Sequence, residues 1–317
     1  MRQATFERRV LGRTGLEVTP LCFGGAPLAG MPETFHEDTS QEDAAATLRE
    51  ILAGPVTFLD TAASYGDGES ERRIGGVLAE VGGIPPGVVL ATKVDRDLTT
   101  GEFTGAQMRR SLERSLTLLG VDRLPLVYLH DPEHISFEDG MAPGGPAHTL
   151  AAMRDEGLCD HIGVAGGPVG LMRQYLETDL FEVLITHNRM TLLDRSADDL
   201  IGYAHGRGIG VVNAAVFGGG ILVRGQHEVP RYAYRTAPKA VLDVVQRMWW
   251  LCADHGVPLG AAALQFSLRD PRITSSIVGA SHVDHVREAI AFAGWPIPGE
   301  LWEQLVPLAA PRETWLD

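Results

Sequence analysis

Short apolar segments alternate with longer segments of helical periodicity along most of the chain. Each apolar segment is rich in Val, Ile and Leu on both faces, and the segment after it carries apolar residues three or four positions apart. Strands that are apolar on both faces indicate a parallel sheet covered by helices, and eight such units predict a (β/α)8 TIM barrel rather than an open sheet. The predicted strands cover residues 21–23, 56–60, 88–93, 126–130, 162–164, 183–186, 210–214 and 273–278. The helices that follow them are predicted near residues 42–52, 69–80, 105–119, 147–156, 169–177, 197–207, 238–255 and 283–292.

Further elements surround the predicted barrel. Residues 8–18 contain two short β-like runs around a glycine-bearing turn, which predicts a β-hairpin ahead of the first barrel strand. Residues 259–268 and 300–308 predict two extra C-terminal helices. Long loops are predicted after strands at residues 94–104, 131–146 and 216–238. Because no change in composition marks a boundary, we expect a single domain over residues 1–317.

Composition and charge narrow the possible partners. The chain is 44% hydrophobic and 21% charged, which is typical of a globular protein with a sizeable core. A formal net charge of −14 without any basic cluster argues against a nucleic-acid partner. The first residues lack the apolar core of a signal peptide and the longest apolar run is broken by glycines, so we expect a cytoplasmic protein with no membrane partner. Cys22, Cys159 and Cys252 are widely spaced, which predicts buried thiols. The sequence does not indicate the oligomeric state.

Polar residues end three consecutive predicted strands. Asp60 ends the second strand and Tyr65 lies in the following turn, Lys93 ends the third strand, and His130 ends the fourth. Active sites of such barrels are built at the C-terminal ends of the strands. Each residue also has a structural interpretation: Asp60 as a helix cap, Lys93 as half of a surface ion pair, His130 as a hydrogen-bonded core histidine, and Tyr65 as packing over the barrel.

Taken together, these four side chains form a proton-transfer device. A lysine ammonium beside a phenol stabilises the phenolate and lowers the pKa of the tyrosine, while a carboxylate holds the lysine in place. We therefore expect Tyr65 to act as an acid or base near neutral pH, with Lys93 and Asp60 tuning its pKa. We expect His130 to hydrogen-bond the reacting oxygen and fix its orientation.

The sequence resembles the aldo-keto reductase family. The resemblance is carried by Asp60-Thr61-Ala62, Tyr65-Gly66, Glu71, Gly75, Thr92-Lys93 and His130, and it extends from residues 11–16 to residues 277–281. The family implies a (β/α)8 barrel with a nicotinamide cofactor across its mouth. It also implies Tyr65 as the catalytic acid or base, Lys93 and Asp60 as its tuning pair, and His130 as the orienting residue.

Other segments resemble the branch of that family that contains D-threo-aldose 1-dehydrogenase, also called L-fucose dehydrogenase, and pyridoxal 4-dehydrogenase. These segments are residues 128–132, 191–194, 216–222, 230–234, 255–258 and 261–266. The branch implies NAD(P)-dependent oxidation of the anomeric hydroxyl of an aldose, of the L-fucose, D-arabinose or L-galactose type, to the lactone. Two alternatives stay open: reduction of an aldehyde or ketone, pyridoxal included, with NADPH, and a cofactor-sensing regulatory subunit of low turnover.

The positions that the family places against its cofactor carry unusual residues here. The Lys and Arg that often hold an adenosine 2′-phosphate fall on Gly279 and His285, which favours NAD, while Arg287 nearby keeps NADP as an alternative. Ala214 lies where many members stack an aromatic ring on the nicotinamide, and the carboxamide contact falls on Asn188 or His187. The cofactor contacts implied by the resemblance are Gly25, Ala26, Asp60, Asn188, Ala214, Gly218, Gly279, Ala280, Ser281, His285 and Glu288.

Aromatic residues in the loops are candidates for the wall of a small-molecule substrate pocket, for a sugar or a carbonyl compound. These candidates are Phe35, Phe217, Tyr232, Tyr234 and Trp295. No metal site is expected, because Pro132 prevents His130 and His134 from sharing a helical face. A Rossmann fold is not indicated either, since no GxGxxG motif follows the first strand.

Overall fold

The computed structural model describes residues 6–32, 38–224 and 231–317. The barrel strands within these residues are β1 Leu21–Gly24, β2 Phe58–Asp60, β3 Val89–Val94, β4 Leu124–His130, β5 Cys159–Gly166, β6 Val183–His187, β7 Gly210–Ala214 and β8 Ser275–Gly279. All pair in parallel with their neighbours in sequence, and β8 pairs with β1 to close the barrel. The predicted (β/α)8 barrel is therefore confirmed.

Inward-facing side chains fill the barrel in layers. Because side chains alternate along a strand, every second residue of each strand points to the interior. Phe58 of β2 and Ala91 of β3 are fully buried in one interior cluster. The residues two positions further along these strands, Asp60 and Lys93, therefore lie above them in a polar layer at the C-terminal mouth. Strand alternation alone thus brings the polar strand ends into one site.

The N-terminal hairpin closes the opposite end of the barrel. Arg9–Val10 pairs antiparallel with Glu17–Val18, as predicted, and the turn contains the short 3-10 helix Gly12–Thr14. Leu11 and Val18 are fully buried in the same cluster as the barrel interior. The hairpin therefore plugs the barrel at the start of the strands and leaves the other end open to ligands.

Helices surround the sheet, and their ends follow recognisable sequence signals. The Ser40 and Thr104 side chains accept hydrogen bonds from the backbone amides of Asp43 and Gln107, which caps two helices at their N-termini. Gly120 ends one helix in the left-handed conformation, with φ of 68°. The α-helices are Gln41–Ala53, Glu69–Val81, Gly105–Leu119, Phe137–Gly140, Pro146–Asp155, Val169–Glu177, Asp198–Gly206, Ile221–Arg224, Lys239–Asp254, Leu259–Leu268, Val283–Ala293 and Gly299–Leu305.

The seventh βα unit differs from the prediction in which helix covers the sheet. The sequence predicts the helix after the long loop as the barrel helix and the Ala-rich segment as an addition. In the structure Leu259–Leu268 packs on the sheet, since Ser267 Oγ lies 2.7 Å from Ser276 Oγ of β8. The preceding helix, Lys239–Asp254, leaves Trp250 57% exposed and is the added element. The small alanine side chains of this helix allow it to approach the sheet closely, which the helical periodicity of the sequence does not indicate.

Short elements complete the loops. They are the 3-10 helices Ala26–Ala29, Pro132–His134, Val306–Leu308 and Arg312–Thr314, and a small hairpin of Arg231–Tyr232 with Arg235–Thr236. The hairpin belongs to the long loop after β7. Helix Gly299–Leu305 confirms the predicted helix near the C-terminus. In the part of the chain that the structure describes, no helix is long and apolar enough to cross a membrane.

Candidate active site

A buried ion pair lies at the centre of the barrel mouth. Lys93 Nζ forms a hydrogen-bonded ion pair with Asp60 Oδ1, and the two side chains are 3% and 2% exposed. Lys93 Nζ also donates to the backbone carbonyl of Thr61 at 2.7 Å and to Tyr65 Oη at 3.3 Å. All three ammonium hydrogens therefore have acceptors, which a buried ammonium group needs.

The electrostatics of this cluster fix the protonation of its members. Burial opposes protonation of Lys93, but the Asp60 carboxylate and the phenolic oxygen of Tyr65 outweigh it, and the pKa of Lys93 is raised. Burial also raises the pKa of Tyr65 to about 12, although the Lys93 ammonium lowers it. Desolvation of the phenolate exceeds the attraction of one ammonium group, and the expectation that Tyr65 acts as an acid or base near neutral pH stays a prediction.

His130 completes the polar layer from β4. Its ring meets the Tyr65 ring edge-on, with centroids 6.0 Å apart and an interplanar angle of 86°. Its Nδ1 lies 2.6 Å from Asp95 Oδ2 and 3.3 Å from Ser64 Oγ. Sequence reasoning missed Asp95, although the signal was present: Asp95 follows Lys93 by two residues, so strand alternation turns both side chains to the mouth.

The four predicted catalytic residues therefore lie together at one end of the barrel. Their roles remain predictions, and the structure bears on the structural alternatives for two of them, Asp60 and Lys93. Asp60 caps no helix in this structure, because its carboxylate is bonded to Lys93, and Lys93 is buried rather than paired at the surface.

The predicted cofactor residues lie at the ends of the neighbouring strands. Ala214 ends β7 and Gly279 ends β8, while Ala26 follows β1, so these positions form an arc around one side of the mouth. Just after β8, Ala280 and Ser281 are buried. The arc and the catalytic cluster of β2 to β4 together surround the mouth.

Several of these positions have a local structural explanation as well. At Gly25 a Cβ atom would lie 2.6 Å from Ser70 Oγ, so glycine is required there by helix packing. Gly218, with φ of 60°, lies against the ring of Tyr232. After β8, Ser281 Oγ lies 3.0 Å from Nδ1 of His285. Glu288 is exposed on the helix Val283–Ala293.

The end of β6 presents His187 and Asn188 in different ways. His187 follows the interior residue Ile185 by two positions, which places it on the inward-facing register, and burial lowers its pKa to about 4. Asn188 has φ of 58° and is 1% exposed, with Nδ2 3.2 Å from His187 Nδ1. Among the described residues, Asn188 Oδ1 has no hydrogen-bond partner. A buried, unpaired amide oxygen matches the amide hydrogens of a nicotinamide carboxamide.

Carboxylates line the wall between β4 and β6. One oxygen or nitrogen atom each of Asp131, Glu133 and His187 lies within 4.8 Å of the others. Glu133 Oε1 accepts a hydrogen bond from the Gly167 amide at 3.2 Å. Burial and the negative charge of Asp131 raise the pKa of Glu133. We assign this group to the wall of the site, and the expectation that the chain has no metal site stays a prediction.

The aromatic candidates for a substrate wall occupy different surroundings. Tyr232 is buried, and its hydroxyl donates to an aspartate carboxylate at 3.4 Å, which suits a structural role. Tyr234, next to it in the small hairpin, is 42% exposed. Phe217 and Trp295 are partly buried against the core. Phe35 lies outside the described residues.

Comparison with known proteins supports assignment of the chain to the family that the sequence resembles. The model of the Aldo/keto reductase family matches residues 20–308. The chain is 29% identical to a pyridoxal 4-dehydrogenase from Microbacterium luteolum, over 94% of this chain and 96% of the relative. It is 31% identical to a D-threo-aldose 1-dehydrogenase from a Pseudomonas species, over 92% and 94% of the two chains. The solved structure of aldo-keto reductase AKR11C1 from Bacillus halodurans (holo form) has the same fold, with a TM-score of 0.81 at 22% identity over 98% and 99% of the chains. The barrel, its polar mouth and these similarities show that the chain belongs to the aldo/keto reductase family of oxidoreductases.

Proposed function

We propose that this chain is an NAD(P)-dependent oxidoreductase that oxidises the anomeric hydroxyl of an aldose, of the L-fucose, D-arabinose or L-galactose type, to the lactone. The observation that carries the proposal is the buried Lys93–Asp60 pair that contacts Tyr65, with His130 beside it, at the barrel mouth. The similarity to a D-threo-aldose 1-dehydrogenase, at 31% identity, supports the sugar class.

Tyr65 is the group that exchanges a proton with the substrate oxygen. In the oxidation the Tyr65 phenolate accepts the proton of the substrate hydroxyl, while the carbon that bears this hydroxyl loses a hydride. Lys93, a permanent cation 3.3 Å from Tyr65 Oη, stabilises the phenolate, and Asp60 holds the ammonium group in place. A bound nicotinamide supplies the hydride acceptor for oxidation and the donor for reduction.

Residues around the other half of the mouth would hold the cofactor. Asn188 Oδ1, which has no hydrogen-bond partner among the described residues, would accept a hydrogen bond from the carboxamide. The segment after β8, with buried Ala280 and Ser281 ahead of a helix N-terminus, suits the adenosine half.

The surroundings of Arg287 favour NAD over NADP. Arg287 is the basic side chain that the sequence places nearest the expected position of a 2′-phosphate. Its Nε donates to Glu50 Oε1 at 2.8 Å, so its charge is already paired, and Gly279 contributes no side chain. A site without an available cation has little electrostatic reason to prefer the additional phosphate of NADP.

Reduction of a carbonyl compound, pyridoxal included, with NADPH is the second candidate. One observation favours it: with its pKa raised to about 12, Tyr65 is a phenol at neutral pH and therefore a ready proton donor to a carbonyl oxygen. The similarity to a pyridoxal 4-dehydrogenase supports a substrate of that kind.

A steady-state screen separates the two candidates. The purified protein is mixed with NAD or NADP and L-fucose, D-arabinose or L-galactose, and separately with NADH or NADPH and pyridoxal or simple aldehydes. NADH formation with an aldose at the highest kcat/KM supports the first proposal. Turnover only of carbonyl compounds with NADPH would replace it with the second, and no aldose oxidation with either cofactor would contradict it.

A further inference from the structure

At the barrel mouth the Asp95 carboxylate is hydrogen-bonded to the His130 imidazole, and the catalytic roles proposed for this site do not involve Asp95. His130 Nδ1 lies 2.6 Å from Asp95 Oδ2, and the Asp95 side chain is 3% exposed. The backbone amide of Arg96 donates to Asp95 Oδ1 at 2.8 Å. Asp95 is therefore anchored on one oxygen by its own loop and uses the other oxygen to contact the imidazole.

The backbone around Asp95 is also fixed. The amide of Asp95 donates to Ser111 Oγ at 3.1 Å, and Gln107 Nε2 donates to the Asp95 carbonyl at 3.2 Å. Both partners lie on the helix Gly105–Leu119, so the loop after β3 is tied to the barrel scaffold. A carboxylate held this rigidly imposes its geometry on the more exposed imidazole, rather than following it.

An ionised carboxylate can only accept hydrogen bonds, so its partner must supply the hydrogen. Although burial opposes ionisation of Asp95, the hydrogen bond and charge of His130, with Ser64, lower the pKa of Asp95. Nδ1 of His130 must then carry a hydrogen in both the neutral and the charged ring. The other nitrogen, Nε2, is left to face the reacting oxygen as an acceptor when the ring is neutral and as a donor when it is charged.

We propose that Asp95 is a positioning residue that fixes His130 in the Nδ1–H tautomer and aims Nε2 at the substrate oxygen. This inference rests on the proposed function, since it assigns a partner to the orienting histidine of the same site. Because Tyr65 takes the single hydrogen of the reacting hydroxyl, only the charged ring, through Nε2–H, hydrogen-bonds the reacting oxygen in the oxidation. A protonated Nε2–H donates to a carbonyl oxygen, which suits reduction.

The charged groups around His130 set the pH at which its ring becomes protonated. Burial and Lys93 oppose protonation of the ring, but Asp131 and Asp95 outweigh them, and the pKa of His130 is raised. Asp131 Oδ1 lies 3.7 Å from Nε2. The other ionisable groups near the ring in the described part of the chain include Asp60, Tyr65, Glu133 and His187. Asp95 is the one that bonds Nδ1, so its removal alters the tautomer and the pKa together.

The test is nitrogen-15 NMR of the histidine side chains in the full-length protein, which requires no substrate. The His130 signals are assigned by their loss in the His130→Asn variant, and pH titrations are compared for wild type and Asp95→Asn. We expect the neutral His130 ring of the wild type to carry its hydrogen on Nδ1. In Asp95→Asn we expect its titration to move down by about 1 pH unit or more, since a nearby opposite charge shifts a pKa by about 1 to 3 units.

A kinetic measurement accompanies the spectra. In Asp95→Asn we expect kcat to fall about 10-fold to 100-fold while the dissociation constant of NAD stays within about twofold, as for other residues that orient a reacting group through a partner. Asp155→Asn removes a carboxylate that is 70% exposed at the end of a helix and serves as the matched control, with unchanged kcat and His130 titration.

The results separate this inference from the proposed function. An Nε2–H tautomer in the wild type, or an unchanged His130 titration in Asp95→Asn, would overturn the role of Asp95. If Asp95→Asn does not fold, the wild-type tautomer still decides the question. If the wild type oxidises no aldose but shows the Nδ1–H tautomer, the proposed function fails while the pairing of Asp95 with His130 stands.

Discussion

Replacing Tyr65 with phenylalanine isolates the one hydroxyl on which the proposed chemistry depends. Among the described residues, Tyr65 Oη accepts one hydrogen bond, from Lys93 Nζ at 3.3 Å, and Lys93 keeps its bonds to Asp60 and to the Thr61 carbonyl without it. Because this bond involves a buried charged ammonium group, its loss lowers the unfolding free energy by about 1.5 to 3 kcal/mol. Loss of the proton-transfer group reduces hydride transfer by about 10²-fold to 10⁴-fold, which corresponds to about 2.7 to 5.4 kcal/mol of the activation barrier.

The assay measures three quantities on the same preparations. Single-turnover mixing of the protein and NAD with L-fucose gives the rate of hydride transfer. Quenching of tryptophan fluorescence gives the dissociation constant of NAD, and urea unfolding gives the stability. In Tyr65→Phe we expect the rate of hydride transfer to fall by about 10²-fold or more and the dissociation constant of NAD to change by less than about threefold. We expect the unfolding free energy to fall by about 1.5 to 3 kcal/mol.

Tyr128→Phe provides a matched control, because Tyr128 is fully buried in the barrel interior below the mouth. In the described part of the chain its hydroxyl has no hydrogen-bond partner. Removing it should leave the rate unchanged and stability equal or higher, since an unpaired buried hydroxyl carries a desolvation cost. Two results would contradict the proposed role of Tyr65. One is an equal loss of rate in Tyr65→Phe and Tyr128→Phe. The other is a loss of NAD binding in Tyr65→Phe that is large enough to account for its lost rate.

Three further changes test the surroundings of Tyr65. Lys93→Met leaves the buried carboxylate of Asp60 without its cation, so we expect about 3 to 5 kcal/mol of destabilisation in urea unfolding, largely recovered when Asp60→Asn is added; a single variant as stable as wild type would contradict this. Because the base form of a phenol with a pKa of about 12 is scarce at neutral pH, kcat/KM for aldose oxidation should rise with pH across the neutral range; an oxidation rate that falls as pH rises would argue against Tyr65 as the base. Glu50→Gln leaves Arg287 with the longer contact to Asp284 at 4.0 Å, so we expect NADP affinity to improve by up to about fivefold in fluorescence titrations, since an exposed charge contact is worth about 0.2 to 1 kcal/mol. An unchanged ratio of NADP to NAD affinity would place Arg287 away from the cofactor.

Much of the fold follows from the sequence because its signals are local. Runs that are apolar on both faces mark the strands, and a strand that ends in Asp60, Lys93 or His130 must present that residue at the mouth. Which helix covers the seventh unit is not local information. Leu259–Leu268 packs on the sheet because its small side chains fit there, and that depends on the opposing surface rather than on helical period.

The sequence predicted most of the residues of the candidate site, but it did not predict the pKa of Tyr65. Alternation also applies to Asp95, but the apolar pattern predicts that the strand ends at Lys93 and so assigns Asp95 to the following loop. The structure extends β3 by one residue to Val94, and Asp95 follows it directly. The pKa of Tyr65 was not predictable, because it depends on how far burial outweighs the attraction of Lys93, and burial is a property of the packed barrel.

The most direct test of the central claim is the rate of hydride transfer from an aldose to NAD in a single turnover, measured for wild type and Tyr65→Phe. We expect NADH formation by the wild type and a loss of about 10²-fold or more in the variant, with NAD bound equally by both. NADH formation at similar rates by the two proteins would contradict the claim that the Tyr65 phenol, held beside the Lys93–Asp60 pair, moves the substrate proton.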